Sequence, residues 1–247
     1  AQVDMRPENI GRRTPVDIGV VGDVRATIDA LMPLIKEKRD RGHLDQATQH
    51  YRKARKGLNA LAVGSSGKGL IHPQQIAKAI SDHAAEDAIF TCDVGLPTVW
   101  AARYLAMNGK RRLIGSFWHG SMANAMAQTI GGQTAFPGRQ VISLSGDGGF
   151  TMLMGDFLSL VQLGLPVKVV VFNNSALGFI EIEQKSSGFI DFGTSFKNPN
   201  FAAVAEASGV RGIRIENTAD VDEGIAAAFA HDGPVLVDAV VSRMVLP

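Results

Sequence analysis

The sequence has a single cysteine, Cys92, so it holds no internal disulfide and no paired-cysteine metal site. It also lacks an excess of charge: the net value of +1 gives no general pull toward nucleic acid or an anionic membrane. No apolar run approaches the roughly 20 residues that cross a bilayer. The opening Ala1 to Arg6 lacks the basic-then-apolar order of a secretory leader and reads instead as the middle of a strand. What remains is ordinary for a soluble α/β protein, with 45% hydrophobic residues and 27 glycines in 247 positions. The length suits one or two domains with a sizeable core, and the composition suits the cytoplasm.

Gln2 to Met5 and Val16 to Val21 read as short strands, and Asp23 as the N-cap of a helix running to about Lys38. Two strands and a helix cannot close a core, so residues 1–38 read as the tail of another domain. Residues 39–69 read as a linker. Its basic stretch (Lys36 to Gly57) has one aromatic, Tyr51, and no repeat for stacking bases, so a solvated helix is favoured over a nucleic-acid patch. Residues 63–69 mark a flexible boundary. They do not make a P-loop, because Ala62 stands for the first glycine and Gly69 for the hydroxyl residue.

Residues 70–247 alternate strands and helices. Strands are expected at 88–92, 112–116, 141–145, 167–172, 212–215 and 235–241, and helices at 73–85, 98–107, 121–130, 150–163, 201–207 and 221–231. This predicts a mostly parallel six-stranded sheet with helices on both faces.

Within that frame, Gly146-Asp147-Gly148 ends one strand and Asn173-Asn174 ends the next, one helical crossover later. Either motif alone is an ordinary turn or cap. Together they put Asp147 and Asn174 at the carboxyl ends of neighbouring parallel strands, about 5 Å apart. Ligands of open α/β sheets bind at that edge. A carboxylate and an amide oxygen with nearby carbonyls are hard donors suited to Mg²⁺ that also holds phosphates. Gly148 and Gly149 open the following helix, where bare N–H groups meet a diphosphate. Gly95 and Leu96 sit in a similar strand-to-helix turn, which alone is commonplace. His119 is left open between polar surface and a place near the metal. Met122 alone reads as a core filler, Cys92 as a buried small hydrophobe, and Glu181 and Glu183 as exposed helix residues.

Four strings go further: Thr91 to Arg103, Gly120 to Met126, Gly146 to Phe157 and Val171 to Phe179. They resemble thiamine-diphosphate enzymes, and most closely the pyruvate oxidase branch that includes pyruvate dehydrogenase (quinone). The likeness extends over essentially the whole chain. It implies the thiamine-diphosphate-binding fold preceded by the tail of a Rossmann-like FAD domain. It implies Mg²⁺ held by Asp147, Asn174 and the Ala176 carbonyl, and diphosphate near Gly95, Leu96, Gly148 and Gly149. Met122 falls where an apolar side chain props the cofactor into its bent shape, which replaces the core-filler reading, and the Gly120 carbonyl meets the aminopyrimidine. Phe179 and Glu183 match side chains near the reacting carbon, and Asp4 a residue contacting FAD.

The reaction so implied decarboxylates pyruvate and passes electrons through FAD to a quinone or oxygen. The thiazolium ring takes up the electrons that CO₂ loss releases. Acetolactate synthases share the fold and much of this frame. The resemblance further implies a homo-oligomer, a tetramer when complete, with active sites between subunits and peripheral contact with the inner membrane face. The resemblance places the glutamate that activates the cofactor in an amino-terminal domain outside this sequence, so the chain alone is expected to be inactive. The alternatives are an acetolactate synthase-type carboligase or a non-catalytic binding or assembly module.

Overall fold

The computed structural model describes residues 1–63 and 70–243. These form two compact units, Ala1–Lys53 and Ala54–Pro247. The flexible boundary expected at 63–69 lies, from residue 64 onward, outside the described residues. In the first unit β1 (Gln2–Asp4) pairs in parallel with β2 (Gly19–Val21), and α1 (Val24–Leu31) follows. Asp23 caps α1 as expected, its side chain accepting from Ala26 N. The helix yields to a 3₁₀ turn at Met32–Leu34 and does not run on to Lys38. Pro33 accounts for this, since its ring excludes the carbonyl of residue 29 from an α-helical position. The basic stretch forms α2 (Gly42–Leu61), a helix with no buried residue.

The second unit carries α3 (Pro73–His83), β3 (Ile89–Cys92), α4 (Leu96–Tyr104), β4 (Arg112–Gly115), α5 (Asn124–Ala135) and β5 (Val141–Gly146). It continues with α6 (Asp147–Met152), α7 (Leu158–Gln162), β6 (Lys168–Asn173), α8 (Gly178–Ser186) and α9 (Phe201–Ala207). β7 (Arg211–Ile215), α10 (Val221–Ala230) and β8 (Val235–Val240) complete it. The six strands lie in the order β4-β3-β5-β6-β8-β7, every pair parallel. This is the expected α/β architecture.

Alternating side chains explain why both faces are covered. Phe90, Cys92, Ile142, Leu144, Val170 and Phe172 enter one apolar layer with Ile76, Ile80, Trp100 and Ile225 of α3, α4 and α10. Val169, Val171 and Leu236, out of step with these, enter a second layer with Met126, Phe150, Leu160 and Phe201. The apolar residues of β6 and β8 thus serve two cores at once.

The helix expected at 150–163 is broken. α6 ends at Met152, Leu153 takes φ −123°, ψ 29°, and a 3₁₀ turn spans Met154–Phe157 before α7. In an unbroken helix Phe150 and Phe157 would stand about 10.5 Å apart along the axis. Here their rings meet edge to face with centroids 5.8 Å apart, and Phe150 also meets Phe201 at 5.4 Å. The break brings both rings into one layer, and Gly155 lowers its cost.

Candidate active site

Strand order decides where a site can form. From β3 the chain steps outward to β4, then returns past β3 to β5 on its other side. The carboxyl ends of β3 and β5 therefore flank a reversal of winding, where the following loops part and leave a crevice. The loops after β3, β5 and β6 line a pocket of about 340 Å³ there. The register Gly146↔Phe172 sets Asp147 and Asn174 just beyond the ends of adjacent strands.

Asp147 opens α6 and is 2% exposed. Its Oδ1 accepts from Gly148 N at 2.9 Å, and its Oδ2 accepts from Asn174 N at 3.0 Å, Ser175 N at 2.6 Å and Asn198 Nδ2 at 2.7 Å. Burial raises the pKa of this carboxyl above the usual range, and those four donors oppose the rise. All are neutral N–H groups, with no lysine or arginine among them. A buried carboxylate so placed keeps an unmet demand for positive charge. Oδ1, with one donor, retains lone-pair capacity that Oδ2 has used.

Asn174 is half-buried, and its Oδ1 accepts from Ala176 N at 3.0 Å. Between them Ser175 has φ 56°, a left-handed conformation uncommon for a residue with a side chain. That turn folds the Asn174 side chain back over the start of Ala176. Among the described residues no three His, Cys, Asp or Glu side chains gather as a metal cluster. A cation here would rest on one carboxylate with neutral amide and carbonyl oxygens, a sparse hard-donor set that leaves positions for phosphate and water. That set fits Mg²⁺.

The same pocket collects Gly95, Leu96, Gly120, Met122, Gly148, Gly149, Ala176, Phe179 and Glu183. Gly95 starts α4 at φ 142°, ψ −154°, a conformation essentially confined to glycine. Met122 lies over the start of α6: its Cε is 3.4 Å from the point a Cβ on Gly148 would occupy. Phe179 and Glu183 stand one turn apart on α8, on the same side, and both are exposed, as befits the pocket's mouth.

Other expectations fall elsewhere. His119 is exposed in the turn after β4 and is not among the lining residues. Asp4 belongs to the first unit, where its Oδ1 accepts from Arg6 N at 2.9 Å and Asn9 Nδ2 at 3.3 Å. Glu181 is buried, contrary to its reading as an exposed helix residue. It accepts from Lys185 Nζ at 2.5 Å and from Arg243 Nε at 2.8 Å, and the Lys185 bond chiefly lowers its pKa. A glutamate with two basic partners can be buried where a lone one cannot.

Trp100, Leu177 and Asp93 also belong to the site, although the sequence reading gave none of them a role of its own. Trp100 and Leu177 line the pocket, with Leu177 Cδ2 only 2.6 Å from a Cβ placed on Gly148. Asp93, 2% exposed, also lines it. Its Oδ1 accepts from Ala125 N at 2.9 Å, while Oδ2 has no hydrogen-bond partner among the described residues. Burial raises its pKa. A Cβ on Gly149 would meet that Oδ2 at 2.4 Å, so the glycine admits the carboxylate. The signal was present, since Asp93 follows β3 as Asp147 follows β5.

Comparison with known proteins gives this geometry a family context. The family profile described as thiamine pyrophosphate enzyme, C-terminal TPP binding domain, matches residues 93–239. The protein YdaP of Bacillus subtilis is 35% identical over 242 residues, covering 98% of this chain and 42% of that protein. A pyruvate oxidase of Lactiplantibacillus plantarum is 32% identical over 245 residues, covering 98% and 40%. An acetolactate synthase of Mycobacterium bovis is 30% identical over 246 residues, covering 96% and 40%. The chain thus spans less than half the length of each of these relatives.

Proposed function

Because the chain belongs to the thiamine pyrophosphate (thiamine diphosphate) enzyme family and carries its C-terminal cofactor-binding domain, we propose that it serves an oxidative decarboxylase of pyruvate. It supplies the Mg²⁺ and diphosphate part of an active site that releases CO₂ and acetate. The observation that carries the reading is Asp147: a buried carboxylate with only neutral donors, beside Asn174 at the next strand end, in a pocket at the winding reversal.

In this reading Asp147, Asn174 and the Ala176 carbonyl hold Mg²⁺. The backbone at Gly95, Leu96, Gly148 and Gly149 would face the diphosphate. Met122 would support the cofactor from one side, and the Gly120 carbonyl would accept a hydrogen bond from it. Bound thiamine diphosphate supplies the electron sink that a 2-keto acid needs to lose CO₂. Phe179 and Glu183, at the mouth, orient pyruvate and limit entry of water. In the complete protein electrons leave through FAD, with Asp4 contacting the flavin, to a quinone or oxygen. The working form is a homo-oligomer in the cytoplasm, peripheral to the inner membrane face.

The acetolactate synthase relative, at 30% identity and similar coverage, supports a second reading in which two keto acids are condensed on the same frame. Product analysis separates the two. The complete protein, given pyruvate, cofactors and an artificial two-electron acceptor, is expected to form acetate and reduced acceptor in equal amounts. Acetolactate with no acceptor reduction would replace the first reading by the second.

A further inference from the structure

Behind Asp147 runs a line of polar side chains to which the proposed reaction gives no part. Asn198 lies in the coil between α8 and α9. Its amide nitrogen donates to Asp147 Oδ2 at 2.7 Å and also to Asn173 Oδ1 at 2.8 Å. Asn173, the last residue of β6 and 4% exposed, donates its own amide nitrogen to Asp238 Oδ1 at 2.8 Å. Asp238, on β8 and 0% exposed, accepts on Oδ2 from Phe201 N at 3.0 Å and Arg214 Nη1 at 2.5 Å. Arg214, on β7, donates Nε to Glu216 at 2.7 Å. The line therefore crosses three adjacent strands and ends on the carboxylate assigned to the metal.

Its direction is fixed by chemistry. An ionised carboxylate only accepts hydrogen bonds, whereas an amide has a donating and an accepting end. Asp238 therefore compels Asn173 to turn its NH₂ inward, which leaves the Asn173 carbonyl oxygen facing Asn198. Asn198 must answer with its own NH₂, and that same nitrogen reaches Asp147. Reversing Asn198 would set oxygen against oxygen at both of its contacts, and reversing Asn173 would set oxygen against Asp238 and nitrogen against nitrogen at Asn198. A charge-assisted bond to Oδ2 then steadies the carboxylate, while Oδ1, with a single donor, is the freer oxygen for a cation.

We propose that Asn198 is a positioning residue for the metal ligand Asp147, and that Asp238, through Asn173, sets the orientation in which Asn198 acts. The inference rests on the metal reading above. Its consequence is selectivity. Mg²⁺ demands near-ideal octahedral geometry at short distance, whereas Ca²⁺ accepts longer and less regular bonds. A carboxylate held by three backbone donors alone is less firmly placed, and loses the first ion more than the second.

The test uses the complete protein with thiamine diphosphate present. Mn²⁺ binding is followed by electron paramagnetic resonance, and Mg²⁺ and Ca²⁺ affinities come from displacement of Mn²⁺. Asn198→Ala is expected to weaken Mg²⁺ binding by about tenfold or more, the usual range for a partner behind a metal ligand, with a smaller loss for Ca²⁺. The Mg²⁺ to Ca²⁺ preference therefore falls. Asn198→Ser, too short to reach both partners, is expected to give the same shift, and Asp238→Asn a smaller one in the same direction. Unchanged affinities in the Asn198 variants, or equal losses for both ions, would overturn the positioning role while leaving the metal site in place. A wild-type protein that binds no Mn²⁺ would overturn the metal reading and this inference together.

Discussion

At the scale of single residues, burial sets the chemistry. Cys92, at the end of β3, is 0% exposed, and burial pushes its thiol from 9.0 up to about 12. The folded chain therefore keeps a proton that the unfolded chain loses first. The contribution of Cys92 to stability is full below pH 9.0 and is lost as pH rises toward about 12. In denaturant unfolding, the stability of the wild type relative to Cys92→Ala is expected to decline across that window. A difference independent of pH would mean that the thiol is not held in a dry environment. The reading of Cys92 as a buried small hydrophobe was legible because it ends an apolar strand. Asn198 was not legible, since an asparagine between a lysine and a proline in a coil carries no local sign of what it touches. Glu181 was misread for the same reason: its partner Arg243 is 62 positions away.

At the scale of elements, regular periodicity was reliable and close packing was not. α9 runs over Phe201–Ala207 as expected, because its apolar spacing, its Asn200 cap and its tertiary position agree. The segment from 150 to 163 reads as one helix by periodicity, yet ring packing breaks it. Close approach is also the reason for Gly212 on β7. A Cβ there would lie 2.1 Å from the Ala202 carbonyl oxygen and 2.7 Å from its carbon, both backbone atoms of α9. Neither can rotate away, so Gly212→Ala must push α9 off the sheet. The expected cost is about 1–3 kcal/mol, read as a lower denaturation midpoint with an unchanged denaturant slope. A variant as stable as the wild type would show that α9 and β7 separate easily. α4 and α5 likewise start away from their expected positions, because Gly95 and the left-handed Ala123 set the turns before them.

At the scale of the whole molecule, six parallel strands fix the site before any side chain is considered. The alternation of strands and helices was legible, and so was the placement of Asp147 and Asn174 at neighbouring strand ends. The strand order was not, because nothing local tells β3 to take β4 on one side and β5 on the other. That order creates the crevice and brings Asp93, Asp147 and Asn174 to its walls. It also lets β8 lie between β6 and β7, so that Asp238 can reach both Asn173 and Arg214. One sheet thus carries the candidate metal site and its support.

The central claim is that Asp147 anchors a metal through which thiamine diphosphate is held. Calorimetric titration of the complete protein with thiamine diphosphate, with and without Mg²⁺, tests it directly when repeated on Asp147→Ala. The account predicts saturable binding that requires Mg²⁺ in the wild type and is lost, or weakened at least tenfold (about 1.4 kcal/mol), in the variant. Binding of equal strength in the variant, or binding indifferent to Mg²⁺, would contradict it.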